Sequence, residues 1–122
     1  IEWGGFLVWL IGFIIEILAD NQKRNFKITN PSGFINTGLW AYSRHPNYLG
    51  EILIWTGIAI ISIRYIIGTG YIALISPIFV FILLRYISGA PQLELIANER
   101  WGSDEKYINY KKNVGLLFPK IF

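Results

Sequence analysis

Nine consecutive residues, Ser43-Arg44-His45-Pro46-Asn47-Tyr48-Leu49-Gly50-Glu51, gather a cation, an imidazole, an amide, a phenol and a carboxylate directly before a long apolar block. Pro46 suits the first turn of a helix, with Ser43 or His45 near its cap. Asn47 and Glu51 then fall four apart on one face. The N-terminus of such a helix offers free backbone N–H groups and a positive dipole end, which suit a phosphate. Arg44 and His45 stand beside it. The plainer reading is an interfacial helix start with a snorkelling arginine and a capping histidine. It leaves Glu51 unexplained, because an unpaired carboxylate opening an apolar block is costly.

A second group is Glu16, Asp20, Arg24 and Lys27. Spacings of four, four and three put them on one helix face. The two cations alone read equally well as a helix end with (i, i+4) ion pairs. Glu16 does not, since a carboxylate inside an apolar block costs a few kcal/mol unless it is paired or faces a polar cavity. Arg85 closes the last apolar block, where snorkelling would explain it unless it faces the first two groups.

Cations with carboxylates and amides behind them suit a polyanionic nucleotide. Lys23, Arg24, Lys27, Arg44, His45 and Arg85 would meet phosphates, and Asp, Glu and Asn the ribose and amide groups. There is no Gly-x-Gly-x-x-Gly and no strand–helix alternation, which excludes a Rossmann mode. Nucleic acid is a poor partner, because the net charge is only +3 and the cations follow the apolar blocks. The chain has no cysteine, which excludes disulfides, thiol catalysis and Cys-ligated zinc in this stretch, and no metal site is expected.

The elements that must position these groups read as membrane helices. The 122 residues are 53% hydrophobic and 16% charged, with mean hydropathy +0.43, against about a quarter charged in soluble domains. Apolar blocks run roughly from Trp3 to Ala19, Ile52 to Ile67 (broken by Arg64) and Tyr71 to Ile87 (broken by Pro77). Each is near the lower limit of about 17–25 residues for a membrane helix. Of the eleven Lys and Arg residues, only Arg64 lies near the Gly68-Thr69-Gly70 turn. The rest lie in the 20–47 loop or at and after the end of the third block. The positive-inside rule puts that loop and the tail on the cytoplasmic side. Trp3, Tyr65 and Tyr71 would mark the far interface, and Trp40, Tyr42 and Tyr86 the near one. Asn25 to Gly38 carries turn chemistry and reads as a structured loop. Leu93 to Lys112 reads as a surface amphipathic helix. The expected fold is an all-α membrane protein, one domain over 1–122, with about three transmembrane helices plus a cytoplasmic loop and a C-terminal amphipathic helix. The helices are placed at about 3–20, 47–67, 71–88 and 91–112. The first block follows Glu2 rather than a basic region, so no signal peptide is read there, and the chain is expected to be the C-terminal part of a longer one.

Three stretches resemble the C-terminal half of the steroid 5α-reductase-like membrane family, closest to its DUF1295 branch. They are Ile14-Ile15-Glu16 through Asp20-Asn21-Gln22-Lys23 to Phe26-Lys27, Gly38-Leu39-Trp40 through Ser43 to Glu51, and Tyr107-Ile108-Asn109-Tyr110 to Phe118-Pro119-Lys120. The resemblance implies an NADPH-dependent reductase of sterol-like or other lipid enones, in the endoplasmic reticulum or a bacterial inner membrane. By position, Glu16, Asp20, Arg24 and Lys27 match the family's cofactor-contacting helix face, with Glu16 where relatives often have an amide. Asn47, Tyr48 and Glu51 match nicotinamide-side and ribose-side contacts, with Arg44 and His45 in the same loop. Arg85 matches a phosphate-binding arginine. The family's substrate-activating carboxylate and tyrosine have no counterpart here and are expected upstream of Ile1.

Two other functions stay open. Membrane methyltransferases of the isoprenylcysteine or phospholipid type share an Arg-His-Pro-x-Tyr loop and use S-adenosylmethionine. Leu93-Glu94 and Glu99-Arg100 faintly echo their acidic second motif. Asn47 before Tyr48, Glu51 after Gly50, and the phosphate-suited cations favour the reductase. A non-catalytic sterol-binding membrane module is the second alternative.

Overall fold

The structure, a computed structural model, describes residues 2–63, 68 and 74–117. Among the described residues five α-helices follow one another: α1 (Glu2–Thr29), α2 (Pro46–Ser62), α3 (Ser76–Ile82), α4 (Gly89–Trp101) and α5 (Glu105–Asn113). A 3-10 turn, Gly38–Ala41, lies between α1 and α2, and a π-helical turn, Leu83–Ile87, continues α3. No strand is present among the described residues, only a parallel bridge between Ser43 and Gly115. Arg64, Tyr65, Thr69, Gly70, Tyr71 and Phe118-Pro119-Lys120 lie outside the described residues, so the readings that rest on them do too.

The helix starts and stops follow local chemistry. α1 runs nine residues past Asp20, so Asn25 to Thr29, expected in the loop, is helical. Asn30-Pro31 stops it, since the residue before proline is pushed out of the α region. Pro46 opens α2, with His45 at the cap position making no side-chain capping bond. Pro77 sits in the first turn of α3. The single helix expected over 91–112 is two. Gly102 and Ser103 interrupt it, and Asp104 starts α5 by accepting a hydrogen bond from the Lys106 backbone N–H at 2.9 Å.

α1 and α2 pack antiparallel along a seam of four glycines. Gly5 faces Gly57 and Gly12 faces Gly50, each pair seven residues apart on its helix. A Cβ on Gly12 would stand 2.6 Å from the Gly50 carbonyl oxygen. One on Gly57 would stand 2.6 Å from the Gly5 carbonyl oxygen and 2.5 Å from the Trp9 backbone nitrogen. Lipid tails are as apolar as leucine, so helices in a membrane associate through close packing of small residues rather than through hydrophobic burial.

Among the described residues, two stretches are long and apolar enough to cross a membrane: Trp3–Thr29, and Ser76–Trp101 through the π turn. α2, described over 17 residues, is just short of that length. The outer faces are apolar and open, with Trp3, Phe6, Leu7, Ile11, Ile78 and Phe79 exposed, as lipid-facing surfaces require. Two small buried clusters lie at the other end of the seam. Ile52, Ala90, Leu116 and Leu117 form one, with Tyr48 and Leu84 against it. Ala19, Ile35 and Trp40 form the other, with Phe26 and Leu39. Trp40, expected in an aromatic belt, is therefore a core residue, 3% exposed. Tyr42 and Tyr86 are exposed.

The seam predicts a contrast between neighbouring glycines. Gly12→Ala should cost about 1–3 kcal/mol by overpacking and lower the thermal midpoint of the protein in detergent. Gly4→Ala, where nothing lies within 4 Å, should be neutral or stabilising through helix propensity. Equal effects of the two would remove the seam's role.

Candidate functional site

The glycine seam delivers two clusters, side by side on α1. The first is acidic. Glu16 and Asp20 on α1 meet Asn47 and Glu51 on α2, because Gly12 and Gly50 bring the helix backbones together one turn away. Glu16 and Glu51 come within hydrogen-bonding reach of each other. Asn47 Nδ2 donates to Asp20 Oδ1 at 3.3 Å, and Trp55 Nε1 donates to Glu51 Oε1 at 3.1 Å. So the two groups singled out from separate stretches of sequence converge across one helix interface.

The second cluster surrounds a cavity of about 220 Å³ under the loop before α2. Its floor is Glu94 of α4, ion-paired to Arg44 through Oε1 and lying 3.4 Å from His45 Nε2 through Oε2. Lys23 and Lys27 reach it from α1 and Arg100 from α4. Lys23 lies over the ring of Trp40 at 5.2 Å, and Lys27 over Trp101 at 4.9 Å. Lys27 Nζ also donates to the Gly33 carbonyl at 2.7 Å. The other wall is α5. Tyr107 and Tyr110 pack on Phe34 at ring distances of 5.1 and 5.6 Å, so α5 is docked through its tyrosines rather than lying free on a surface.

The loop is held from three sides. Trp40 Nε1 donates to the Ala19 carbonyl at 3.1 Å, and Tyr110 Oη donates to the Trp40 carbonyl at 2.7 Å. The Arg44 backbone N–H donates to the Gly115 carbonyl at 3.0 Å. The turn into it needs Gly38, whose φ of +62° is left-handed and whose missing Cβ leaves room for the Gln22 amide. Gln22 Oε1 in turn accepts the Leu39 backbone N–H at 2.9 Å. Burial pushes the Tyr107 hydroxyl above its ordinary pKa, helped by Glu94 and opposed by Arg44. Burial pushes Tyr110 higher still, with Glu94 and Tyr107 adding and Arg44 opposing. Tyr110 donates through its hydroxyl, whereas the Tyr107 hydroxyl has no hydrogen-bond partner among the described residues.

The sequence-derived residues thus divide. Glu16, Asp20, Asn47 and Glu51 form the acidic cluster. Lys27, Arg44 and His45 line the cavity. Tyr48 lies between, its ring stacked on His45 at 5.4 Å. Arg24 is exposed and donates to Asn21 Oδ1 at 3.2 Å. Lys23 takes the place on the stripe expected of Arg24: with roughly 3.6 residues per turn, positions 16, 20, 23 and 27 align better than 16, 20, 24 and 27. Arg85 does not line the cavity. Its guanidinium lies 4.8 Å from the Tyr86 ring, and its Nε is buried without a hydrogen-bond partner among the described residues. Glu94, Arg100, Tyr107 and Tyr110 were not picked out as site residues, since pairing across 50 residues leaves no local spacing to read. The local signals near them are the Leu93-Glu94 and Glu99-Arg100 echo of an acidic motif and the isolation of Glu94 among Gln92, Leu93, Leu95 and Ile96.

Removing Glu94 leaves Arg44 charged and partly buried, at 14% side-chain exposure. Glu94→Gln should cost about 3 kcal/mol, the lower end of the range for breaking a buried ion pair. Replacing both partners, Arg44→Met with Glu94→Leu, should recover much of the loss. Thermal melts of the single and double variants check this, and additive losses would show that the two groups are not coupled.

Residues 1–114 match the family described as a protein of unknown function, DUF1295. The 3-oxo-5-alpha-steroid 4-dehydrogenase 1 of Macaca fascicularis is 29% identical over 120 residues, 97% of this chain and 40% of that protein. Its counterpart in Mus musculus is 37% identical over 60 residues, 48% of this chain and 24% of that protein. The Delta(14)-sterol reductase LBR of Gallus gallus is 37% identical over 59 residues, 35% of this chain and 9% of that protein. The chain thus spans 24% to 40% of the length of these two steroid dehydrogenases. No solved structure matches it. The match over residues 1–114 makes the chain a member of the DUF1295 family, within the steroid 5α-reductase-like membrane proteins.

Proposed function

We propose that this chain supplies the cofactor site of an NADPH-dependent membrane reductase that saturates a carbon–carbon double bond in a steroid-like or other lipid enone. The observation that carries the reading is the convergence of Glu16, Asp20, Asn47 and Glu51 across a glycine seam. The names of the relatives, a 3-oxo-5-alpha-steroid 4-dehydrogenase and a sterol reductase, support the reaction class.

The residues fit the cofactor by their chemistry. Carboxylates and an amide accept and donate toward ribose hydroxyls and a carboxamide, and cations meet phosphates. In this reading Glu16, Asp20 and Glu51 hold the nicotinamide-side ribose, and Asn47 and Tyr48 orient the ring end. Arg24 lies further along α1 toward the phosphates. Arg85, whose buried Nε has no partner among the described residues, supplies a further phosphate contact. Arg44 and His45 act by holding the loop, since Glu94 engages both. When bound, the dinucleotide supplies a hydride to the activated double bond. The chain's own part is to fix its orientation at the membrane edge and to exclude water with the apolar faces of α1 and α2. The acid that activates the substrate is assigned to helices outside these 122 residues. The site and the C-terminal tail are assigned to the cytoplasmic side from the distribution of lysine and arginine.

The full-length polypeptide carrying this chain, purified in detergent, should bind NADPH. Glu51→Ala and Arg85→Ala should each weaken that binding by about tenfold or more, as loss of a charged hydrogen bond of about 1.5–3 kcal/mol implies. Membrane insertion, followed by flotation, should be unchanged. Unchanged affinity in both variants would put the nucleotide elsewhere, and tight binding of S-adenosylmethionine without NADPH would replace the reductase by a methyltransferase.

A further inference from the structure

The cavity under the loop has a charge pattern that the acidic cluster does not account for. Its volume of about 220 Å³ is below the about 300–1,000 Å³ of pockets that enclose a whole small-molecule ligand, and suits a single head group. Lys23, Lys27 and Arg100 stand around it, and Lys27 lies within electrostatic range of both other cations. The carboxylates nearby are committed. Glu94 is engaged by Arg44 and His45, and Asp20, which faces Lys23, also accepts from Asn47. Like charges gathered round a hollow call for an anion.

A buried donor points the same way. Tyr107 lines the cavity and is 3% exposed. Its hydroxyl has no hydrogen-bond partner among the described residues, although a buried hydroxyl left unpaired is costly. Three cations and an unpaired O–H donor make up the contact set of a phosphate group.

The setting identifies the carrier of that phosphate. The cavity lies where the two membrane-length stretches end together, with Trp101 Nε1 donating to the Ser32 carbonyl at 2.9 Å. The same helix ends expose Ile28, Leu95 and Ile96 at 73%, 66% and 48%. Cations inside and apolar side chains outside match a phosphodiester continuing into glycerol and acyl chains. Basic pockets between membrane helices on the cytoplasmic side hold anionic lipid head groups. We propose that Lys23, Lys27, Arg100 and the Tyr107 hydroxyl form a binding site for the phosphate head group of an anionic phospholipid. The site is separate from the acidic cluster and does not depend on the reductase reading.

The test uses the full-length polypeptide in nanodiscs of phosphatidylcholine doped with phosphatidylglycerol, with retained lipid read by native mass spectrometry. The protein should retain phosphatidylglycerol in preference to phosphatidylcholine. The double variant Lys23→Ala, Arg100→Ala should lower that retention by about thirtyfold, each basic residue near an anionic lipid contributing about fivefold. The charge-keeping double variant Lys23→Arg, Arg100→Lys should keep it, which separates a lost site from a lost fold. Equal retention of both lipids by the unaltered protein would overturn the proposal. So would phosphatidylglycerol retention that survives removal of both charges, or its displacement by NADPH, which would give the cavity to the dinucleotide. Glu51→Ala should change NADPH binding and leave lipid retention alone, so the two readings can fail separately.

Discussion

Everything in this molecule that could do chemistry depends on how closely α1 approaches α2. The four seam glycines leave no side chain between the backbones, and a single methyl at Gly12 would stand 2.6 Å from a carbonyl oxygen. That approach lets short side chains meet across the interface one turn further along. Asn47 reaches Asp20, and Glu51 reaches Glu16. A leucine at any of these four positions would open the helix pair and separate the acidic groups. In a membrane the constraint is stronger, because without a hydrophobic drive between helices the close contact itself supplies the association.

A second constraint closes the end of the seam at the loop before α2. The loop before α2 contributes backbone groups that no helix satisfies, and at the end of a membrane helix each of them needs a partner. The chain meets the need with residues from far along the sequence: Gln22, Tyr110 and Gly115 bond to loop backbone groups, while the Ala19 and Leu116 carbonyls accept from the Trp40 and Ser43 side chains. Glu94 then ties Arg44 and His45 to α4. The Arg-His-Pro run is in this light a structural lock.

The two clusters also show how an α1 stripe divides its labour. Glu16 and Asp20 work at the depth of the seam, where α2 is the neighbour. Lys23 and Lys27 stand one and two turns further out, where the neighbours are aromatic rings and the end of α4. The sign of the charge changes where the surroundings change from helix interface to open cavity.

The sequence by itself determined the helices, the apolar faces and the acidic residues that meet. Those follow from periodicity, from turn residues such as Asn30-Pro31 and Pro46, and from carboxylates placed where an apolar block cannot tolerate them unpaired. It did not determine the break at Gly102, the burial of Trp40 or the docking of α5. A tryptophan at a membrane edge and tyrosines three apart on a helix have the same local pattern whether they face lipid headgroups or a protein core. Nor could spacing assign Arg44 to Glu94, choose Lys23 over Arg24 for the stripe, or leave the Tyr107 hydroxyl without a partner. Each of those depends on which surface lies opposite, and for a contact spanning 50 residues only the packed tertiary structure supplies that surface.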